Sequence, residues 1–276
     1  MVGGYEPDEM MFDAVAAFGR TSWLDGSQQE HNHWCNGTLI APNLVVSAKH
    51  CGPSNLSPDP AQQPASGTYT FRFRRNIDGS IGTKAQGWES FHQVKVDHFI
   101  LSEAAGDIYV AVLQEPVTHI KPIPLAIADD FDRNINIHVA GWGKEGPAFN
   151  AGTRGRLLVA DTALSTISPT WVSFPSAWSS SNPCECGPNM FDSGGAVLVR
   201  GKKTVEGTFE APDNKYLGAS SSMSGMARVR EMDSMLPSEH EEDFLQIIGV
   251  ITTTGGGTRV DAHTSIFELI ESAGVM

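Results

Sequence analysis

Basic residues are scarce in this chain. Its 276 residues include 19 Lys and Arg against 32 Asp and Glu, a formal net charge of −13 at pH 7. Nucleic acids and anionic membranes are bound through clusters of basic side chains, so this balance argues against both as partners. Cysteine is scarce too, and its four residues allow at most two disulfide bridges, too few for the main scaffold of a chain this long.

Long apolar runs are also missing. No stretch approaches the roughly 20 apolar residues that a transmembrane helix needs. Residues 1–20 lack the basic start and apolar core of a secretory signal, so we expect no signal peptide within this chain.

The residues that are present favour a β-stranded, loop-rich protein, since 28 Gly and 16 Pro accompany an apolar content of 40%. Short strand-like runs separated by turns predict an all-β barrel or sandwich. The predicted strands are roughly 15–24, 35–40, 44–47, 68–74, 91–100, 107–113, 135–140, 156–163, 196–199, 205–209 and 245–252.

The remaining segments predict the organisation of the chain. The proline-spaced stretch 115–124 is the best candidate for a connector between a domain of residues 1–118 and a second of residues 119–276. Residues 165–183 read as a loop. Residues 210–243 read as an insertion, either a short helix or a solvated loop, and residues 267–272 as a terminal helix.

Three polar residues lie at the edges of predicted strands. His50 follows an apolar strand, Asp107 precedes another, and Ser193 lies in a glycine-containing turn before a third. Taken singly, each is better explained as a structural hydrogen-bonding or turn residue. Together they offer a nucleophile, a base and a group that orients the base, the set used in acyl transfer.

Five segments in order match those of one known family: Met1 to Gly4, Gly37 to Cys51, Asp107 to Leu113, Gly141-Trp142-Gly143, and Asp192-Ser193-Gly194-Gly195. The chain resembles the chymotrypsin-like (trypsin-fold) serine proteases. That family usually has two alanines before its histidine, where this chain has Ala48-Lys49.

The resemblance implies a fold of two perpendicular six-stranded antiparallel β-barrels with a short C-terminal helix. His50 and Asp107 would lie in the first barrel and Ser193 in the second, with the active site between them. The function implied is that of a serine endopeptidase acting on protein or peptide substrates through an acyl-enzyme. No cofactor or metal is implied, and the expected protein is a monomer outside the cytosol that protein inhibitors can bind.

The resemblance also assigns supporting residues. The backbone N–H groups of Phe191 and Ser193 would form the oxyanion hole. The α-amino group of Met1 would pair with Asp192, and Cys35 would be bridged to Cys51. The specificity pocket would include Gly187, Thr252, Thr254 and Asp261.

Two departures from the family pattern keep alternatives open. Phe191 stands where the family has glycine, which adopts unusual backbone angles freely. This motivates a catalytically silent homologue that binds a partner through the same surface. Gly187 replaces the aspartate of trypsins, and Asp261 is either a pocket carboxylate or a surface charge. A ligand-binding β-sandwich has only composition in its favour.

Three further motifs have plain structural explanations. Cys184 and Cys186 are too close in sequence for a relaxed mutual bridge, so we expect thiols there. His31-Asn32-His33 suggests metal binding, but it has no clustered ligands around it and reads as a polar loop. Asn36-Gly37-Thr38 fits a glycosylation sequon within a strand, where we do not expect a glycan.

Overall fold

The computed structural model is almost entirely β-stranded, as the sequence predicts. It describes residues 1–21, 35–54, 56–83, 86, 88–101, 106–125, 136–145, 155–168, 171–175, 186–203, 209–210, 243–253 and 256–259. Besides the strands, the described residues form short 3-10 turns, among them Met10–Ala14, Lys49–Cys51 and Pro60–Gln62. In that part of the chain no helix is long and apolar enough to cross a membrane.

Six antiparallel strands form the first unit: β1 Val15–Arg20, β2 Cys35–Ala41, β3 Leu44–Ala48, β4 Tyr69–Phe73, β5 His92–Leu101 and β6 Ile108–Leu113. Their spatial order is β1–β2–β3–β6–β5–β4, and β4 pairs with β1. The ring of strands is therefore a closed barrel, which leaves no exposed sheet edge.

The barrel forms because its strands are rich in residues that pack well on a pleated surface. All five residues of β3 and all six of β6 are buried. Aromatic rings fill the barrel around Phe18, which stacks on or meets the edges of four others: Tyr69, Phe71, Phe99 and Tyr109. Burial of each such side chain contributes about 1.5–3 kcal/mol of stability.

Eight further strands form one antiparallel sheet: β7 Asn136–Gly141, β8 Leu158–Ala163, β9 Thr166–Ile167, β10 Trp171–Ser173, β11 Ala196–Lys203, β12 Phe209–Glu210, β13 Asp243–Thr253 and β14 Gly256–Arg259. Their spatial order is β8–β7–β11–β13–β14–β10–β9, with β12 paired to β11. β11 lies between β7 and β13, so the strand that follows the Ser193 turn is at the middle of the sheet.

One predicted loop contains strands, because residues 165–183 include β9 and β10. The loop prediction is wrong at 166–167 and 171–173, where the strands are very short and pairing with each other and with β14 decides their conformation. The strand β14, which includes the glycines at 256 and 257, had no counterpart among the predicted strands. Most of the predicted insertion at 210–243, and the terminal helix at 267–272, lie outside the described residues.

The two units share a continuous hydrophobic core. Trp142, just after β7, is 1% exposed; its indole N–H donates to Val15 O at 2.9 Å, and its ring meets that of Phe91 edge-on at 5.4 Å. The proline-spaced stretch contacts both units, because Ile123 N–H donates to Leu39 O and Ile247 N–H to Pro124 O, each at 2.9 Å.

The N-terminal segment is fixed along the second unit. Val2 and Gly187 exchange backbone hydrogen bonds of 2.8 and 3.0 Å, and Tyr5 exchanges two of 2.9 Å with Val159. Further along, the buried carboxylate of Asp13 accepts hydrogen bonds from Arg74 and Arg75. These contacts bring the amino group of Met1 into the protein interior.

Candidate active site

The register of β3 and β6 places His50 beside Asp107. Ala48 pairs with Ile108 at the ends of the two strands, so the residues just beyond that pair meet. The backbone N–H of Lys49 donates to Asp107 O at 3.0 Å, and that of His50 donates to Asp107 Oδ1 at 2.9 Å. Two backbone N–H groups thus fix Asp107, one through its backbone carbonyl and one through its carboxylate, against the turn that carries the histidine.

The side chains of His50 and Asp107 are also in contact. Nδ1 of His50 lies 2.7 Å from Oδ2 of Asp107, and the two side chains are 44% and 35% exposed. Burial raises the pKa of Asp107, but hydrogen bonds from the side chain and backbone of His50 outweigh it and leave the pKa below its ordinary value. Asp107 is therefore ionised at neutral pH.

Ser193 lies in a tight turn between Asn189 and β11. Asp192 N–H donates to Asn189 O at 3.2 Å, and Gly195 N–H donates to Asp192 O at 3.0 Å. The carbonyl of Ser193 accepts the N–H of Asn36 at 2.8 Å, which ties the turn to the residue after Cys35. The turn is therefore attached to the first barrel beside the Cys35–Cys51 bridge.

The side chains of Ser193 and His50 are not hydrogen-bonded to each other in the part of the chain that the structure describes. Nε2 of the imidazole lies 3.8 Å from Cys51 Sγ. Hydrogen bonds at active sites are often long in proteins without substrate and tighten when it binds. The structure therefore brings His50 and Asp107 into contact and Ser193 into the neighbouring turn.

Phe191 has an unusual backbone. Its φ of 71° is the only positive value at a non-glycine residue in the part of the chain that the structure describes. The carbonyl before it, Met190 O, accepts the N–H of Lys144 at 2.9 Å. In a planar trans peptide the C=O and N–H point in opposite directions, so the N–H of Phe191 points away from Lys144.

Met1 and Asp192 form a fully buried ion pair. The Met1 ammonium lies 2.7 Å from Asp192 Oδ2 and also donates to Lys144 O, and neither Met1 nor Asp192 has exposed side-chain surface. The carboxylate accepts two backbone hydrogen bonds as well, from Gly143 N at 2.7 Å and Asn189 N at 2.8 Å. Asp192 is thus held from three directions.

The residues expected in the specificity pocket are only partly described. Gly187 is buried and bridged to Val2, and Thr252 lies in β13. Thr254 and Asp261 lie outside the described residues.

The sequence predicts one disulfide bridge, and the structure contains disulfide-bonded cysteines beyond that bridge. Cys35 and Cys51 form a disulfide with a Cα–Cα distance of 5.8 Å. Cys186 is disulfide-bonded too, so the prediction of a thiol there is wrong. Separation along the sequence is a poor guide because the folded backbone decides which sulfur atoms meet. Cys184 lies outside the described residues.

The described residues around His50 do not form a good metal-binding site. Within the described residues the one cluster of ligand atoms is Cys35, His50 and Cys51. Its two sulfur atoms are joined in the disulfide and are not thiolate ligands. The His31-Asn32-His33 motif lies outside the described residues.

Sequence reasoning missed the structural role of two residues around the Ser193 turn. One is Asn36, treated as a sequon residue but completely buried and hydrogen-bonded to the turn. The other is Gly143, where a Cβ would lie 2.5 Å from Met190 O and 2.6 Å from the Asp192 carboxylate. A polar residue at the second position of the predicted strand 35–40 was the available signal for Asn36.

A comparison with protein families agrees with these observations. The family model described as Trypsin matches residues 1–211, about three quarters of the chain. The matched part includes His50, Asp107 and Ser193 as well as the first barrel. The chain therefore belongs to the trypsin family.

Proposed function

We propose that this protein is a serine endopeptidase that hydrolyses peptide bonds in protein or peptide substrates. The observation that carries the proposal is the His50–Asp107 pair, with 2.7 Å between Nδ1 and Oδ2 and a carboxylate whose pKa lies below its ordinary value. An ionised Asp107 accepts the N–H of Nδ1 and so holds the imidazole in the tautomer in which Nε2 can act as a base.

Ser193 is the nucleophile in this proposal. Its Oγ attacks the substrate carbonyl while His50 Nε2 takes the hydroxyl proton, which then passes to the leaving amine. Water, deprotonated by the same imidazole, hydrolyses the acyl-enzyme and releases Ser193. Asp107 stabilises the imidazolium that forms in each half of the reaction.

The oxyanion of the tetrahedral intermediate is bound by the N–H groups of Phe191 and Ser193. Two observations support this assignment. Within the described residues the Ser193 N–H has no hydrogen-bond partner. The Met190 carbonyl is held by Lys144, which directs the Phe191 N–H the other way. The ion pair of Met1 and Asp192 fixes the backbone between these two donors.

The setting proposed for this enzyme is outside the cytosol, because disulfides such as Cys35–Cys51 persist in oxidising compartments. We propose two domains, residues 1–118 and 119–276, that act together as a monomer and accept protein inhibitors at the substrate site.

A catalytically silent homologue is the second candidate. It is favoured by a phenylalanine at position 191 and by the lack of a hydrogen bond between Ser193 and His50 within the described residues. Such a protein would bind a partner through the same surface without cleaving it.

A fluorophosphonate probe separates the two candidates, because it reacts only with an activated serine. We expect labelling at Ser193 in the wild type, none in Ser193→Ala, and strong losses in His50→Ala and Asp107→Asn. For Asp107→Asn the loss should be on the order of 10⁴-fold, its size in the chymotrypsin-like template.

A matched control is available in β5. Asp97 and His98 form a similar pair, 2.8 Å between Oδ2 and Nδ1, on the surface of the first barrel. Asp97→Asn should label like the wild type. A folded wild-type protein that resists the probe would favour the silent homologue.

A further inference from the structure

Asn36 is a buried polar residue near the start of a buried strand. It lies in β2, directly after Cys35, and has no exposed surface. Buried side-chain amides are stable only when their donors and acceptor are hydrogen-bonded. The partners of Asn36 therefore show what the residue holds in place.

The side-chain hydrogen-bond partners of Asn36 all belong to the second unit of the structure. The side-chain Oδ1 accepts the N–H of Trp142 at 2.9 Å. The side-chain Nδ2 donates to Phe191 O at 2.7 Å and to Ser193 O at 3.2 Å. A single amide thus joins the first barrel to both residues proposed for the oxyanion hole.

The backbone of Asn36 adds to these contacts. Its N–H donates to Ser193 O at 2.8 Å, and its carbonyl accepts the Ser47 hydroxyl at 2.5 Å. Gly194, with a φ of 82°, approaches so closely that a Cβ there would overlap the Asn36 carbonyl. The Ser193 turn is therefore seated directly on this residue.

The two peptide planes on either side of Phe191 are each held by a hydrogen bond. Lys144 N–H holds the Met190 carbonyl at 2.9 Å, and Asn36 Nδ2 holds the Phe191 carbonyl at 2.7 Å. With both planes fixed, φ and ψ of Phe191 are fixed as well. The resulting φ of 71° is unfavourable for a residue with a large side chain, so an outside contact has to maintain it.

From this geometry we propose that Asn36 is a positioning residue that holds Phe191 in its left-handed conformation. In doing so it sets the direction of the backbone N–H groups that bind the oxyanion. The inference rests on the proposed serine-protease function for its catalytic consequence. The contact between Asn36 and Phe191 does not depend on that function.

The test combines Asn36→Ala with Phe191→Gly, since glycine adopts positive φ without help. The readout is the rate of Ser193 labelling by a fluorophosphonate, measured below the unfolding transition of every variant. Loss of one oxyanion donor lowers rates on the order of 10²–10³-fold. We expect Asn36→Ala to lower the labelling rate at saturating probe about 10- to 100-fold, with little change in the probe concentration for half-saturation.

The decisive comparison is the size of that loss in the two backgrounds. With glycine at position 191, the Asn36→Ala loss should shrink severalfold, because the turn no longer depends on the amide. Equal losses in the two backgrounds would overturn the proposal, as would a wild-type rate for Asn36→Ala. If Asn36→Ala does not fold, Asn36→Ser gives the same comparison with a hydroxyl left for the N–H of Trp142.

Asn76→Ala is the matched control. Its Nδ2 also donates to a backbone carbonyl at 2.7 Å, that of Ser90, and within the described residues it has no hydrogen bond to the Ser193 turn. In either background, with phenylalanine or glycine at 191, this variant should label at the same rate as the protein without it. An effect as large as that of Asn36→Ala would point to general destabilisation and count against positioning.

A second readout separates failure of this inference from failure of the proposed function. If folded wild-type protein is not labelled, the enzyme proposal fails, and the wild type, the two single variants and the double variant are compared by denaturant unfolding. Asn36→Ala should then shift the unfolding midpoint less with glycine at 191 than with phenylalanine. Additive shifts would overturn the coupling between Asn36 and Phe191.

Discussion

The ammonium group of Met1 lies 2.7 Å from Asp192 Oδ2, and neither residue has any exposed side-chain surface. Two charges removed from water are stable only while they remain paired. Asp192 also accepts the N–H groups of Gly143 and Asn189, so the same carboxylate shapes the turn that contains Ser193. Loss of the Met1 ammonium should therefore destabilise the turn that contains Ser193.

Asp192→Asn should be strongly destabilising, because it leaves the Met1 ammonium buried without its counter-charge. We expect a loss of about 3–5 kcal/mol in the free energy of unfolding. Denaturant unfolding measures it. The exposed Asp8→Asn is the control and should change stability little. Equal stability of Asp192→Asn and the wild type would mean that the ion pair contributes nothing.

A few residues added before Met1 should disrupt the same contact. The amine becomes a neutral amide, and the added chain has no room in the buried site. We expect slower Ser193 labelling in the extended form and full recovery after a protease removes the extension. Wild-type labelling of the uncleaved form would show that backbone contacts alone hold Asp192.

The low pKa of Asp107 predicts how stability depends on pH. A carboxyl group whose pKa is lowered by folding stabilises the protein above its unfolded pKa of about 4 and loses that contribution as pH falls through the folded pKa. Unfolding should therefore show an advantage of the wild type over Asp107→Asn at pH 7 that declines below about pH 4. In a His50→Ala background the decline should be smaller, because the imidazole bond is lost. A difference that is constant from pH 7 to pH 2 would contradict this prediction.

The strands that the sequence predicts best are those with runs of β-branched residues. β3 and β6 appear where Leu44 to Ser47 and Asp107 to Leu113 indicated them, within one residue at each end. The missed strand β14 contains two glycines and exists through its pairing with β13 and β10. The residue types of a strand predict it when its own side chains favour the extended conformation. They do not predict a strand, such as β14, that is extended because it pairs with neighbouring strands.

The site shows the same division. The sequence marks His50, Asp107 and Ser193 because their residue types and flanking strands carry the signal. Asn36 escaped notice because its role depends on the Ser193 turn, which is more than 150 residues away and reaches β2 only in the folded chain. The left-handed backbone of Phe191 was signalled only by the glycine that the family has at this position, since a phenylalanine on its own favours negative φ.

The Cys35–Cys51 disulfide should contribute both stability and alignment. It closes a loop with a sequence separation of 16 residues, for which a contribution of about 2–4 kcal/mol is typical. The Cys35→Ala/Cys51→Ala variant should lose about that much in unfolding free energy. It should also label more slowly at Ser193, since the bridge joins the residues beside Asn36 and His50. Alkylation of native protein at either cysteine, detected by mass, would contradict the bridge.

Substrate preference is predicted from the proposed pocket. Gly187 leaves the pocket without the carboxylate that selects Arg and Lys in trypsins, and its backbone is bridged to Val2. In the alignment that the resemblance implies, Asp261 would supply a carboxylate to this pocket instead. A carboxylate in a desolvated pocket needs a cationic partner, and a substrate guanidinium or ammonium provides one. Thr252 and Thr254 would line the proposed pocket with hydroxyl groups, which suit a polar side chain better than an aromatic one.

We therefore expect cleavage after Arg or Lys, ahead of cleavage after small apolar residues. A peptide-library profile of the wild type, Asp261→Ala and Asp261→Asn tests this, with Asp8→Ala as an exposed control. Both Asp261 variants should lose the basic preference, because neither can balance the charge of the substrate, while Asp8→Ala keeps it. A wild-type preference for Phe, Tyr or Leu would exclude the Asp261 pocket. So would an unchanged basic profile in the Asp261 variants, since the selecting charge would then come from another residue.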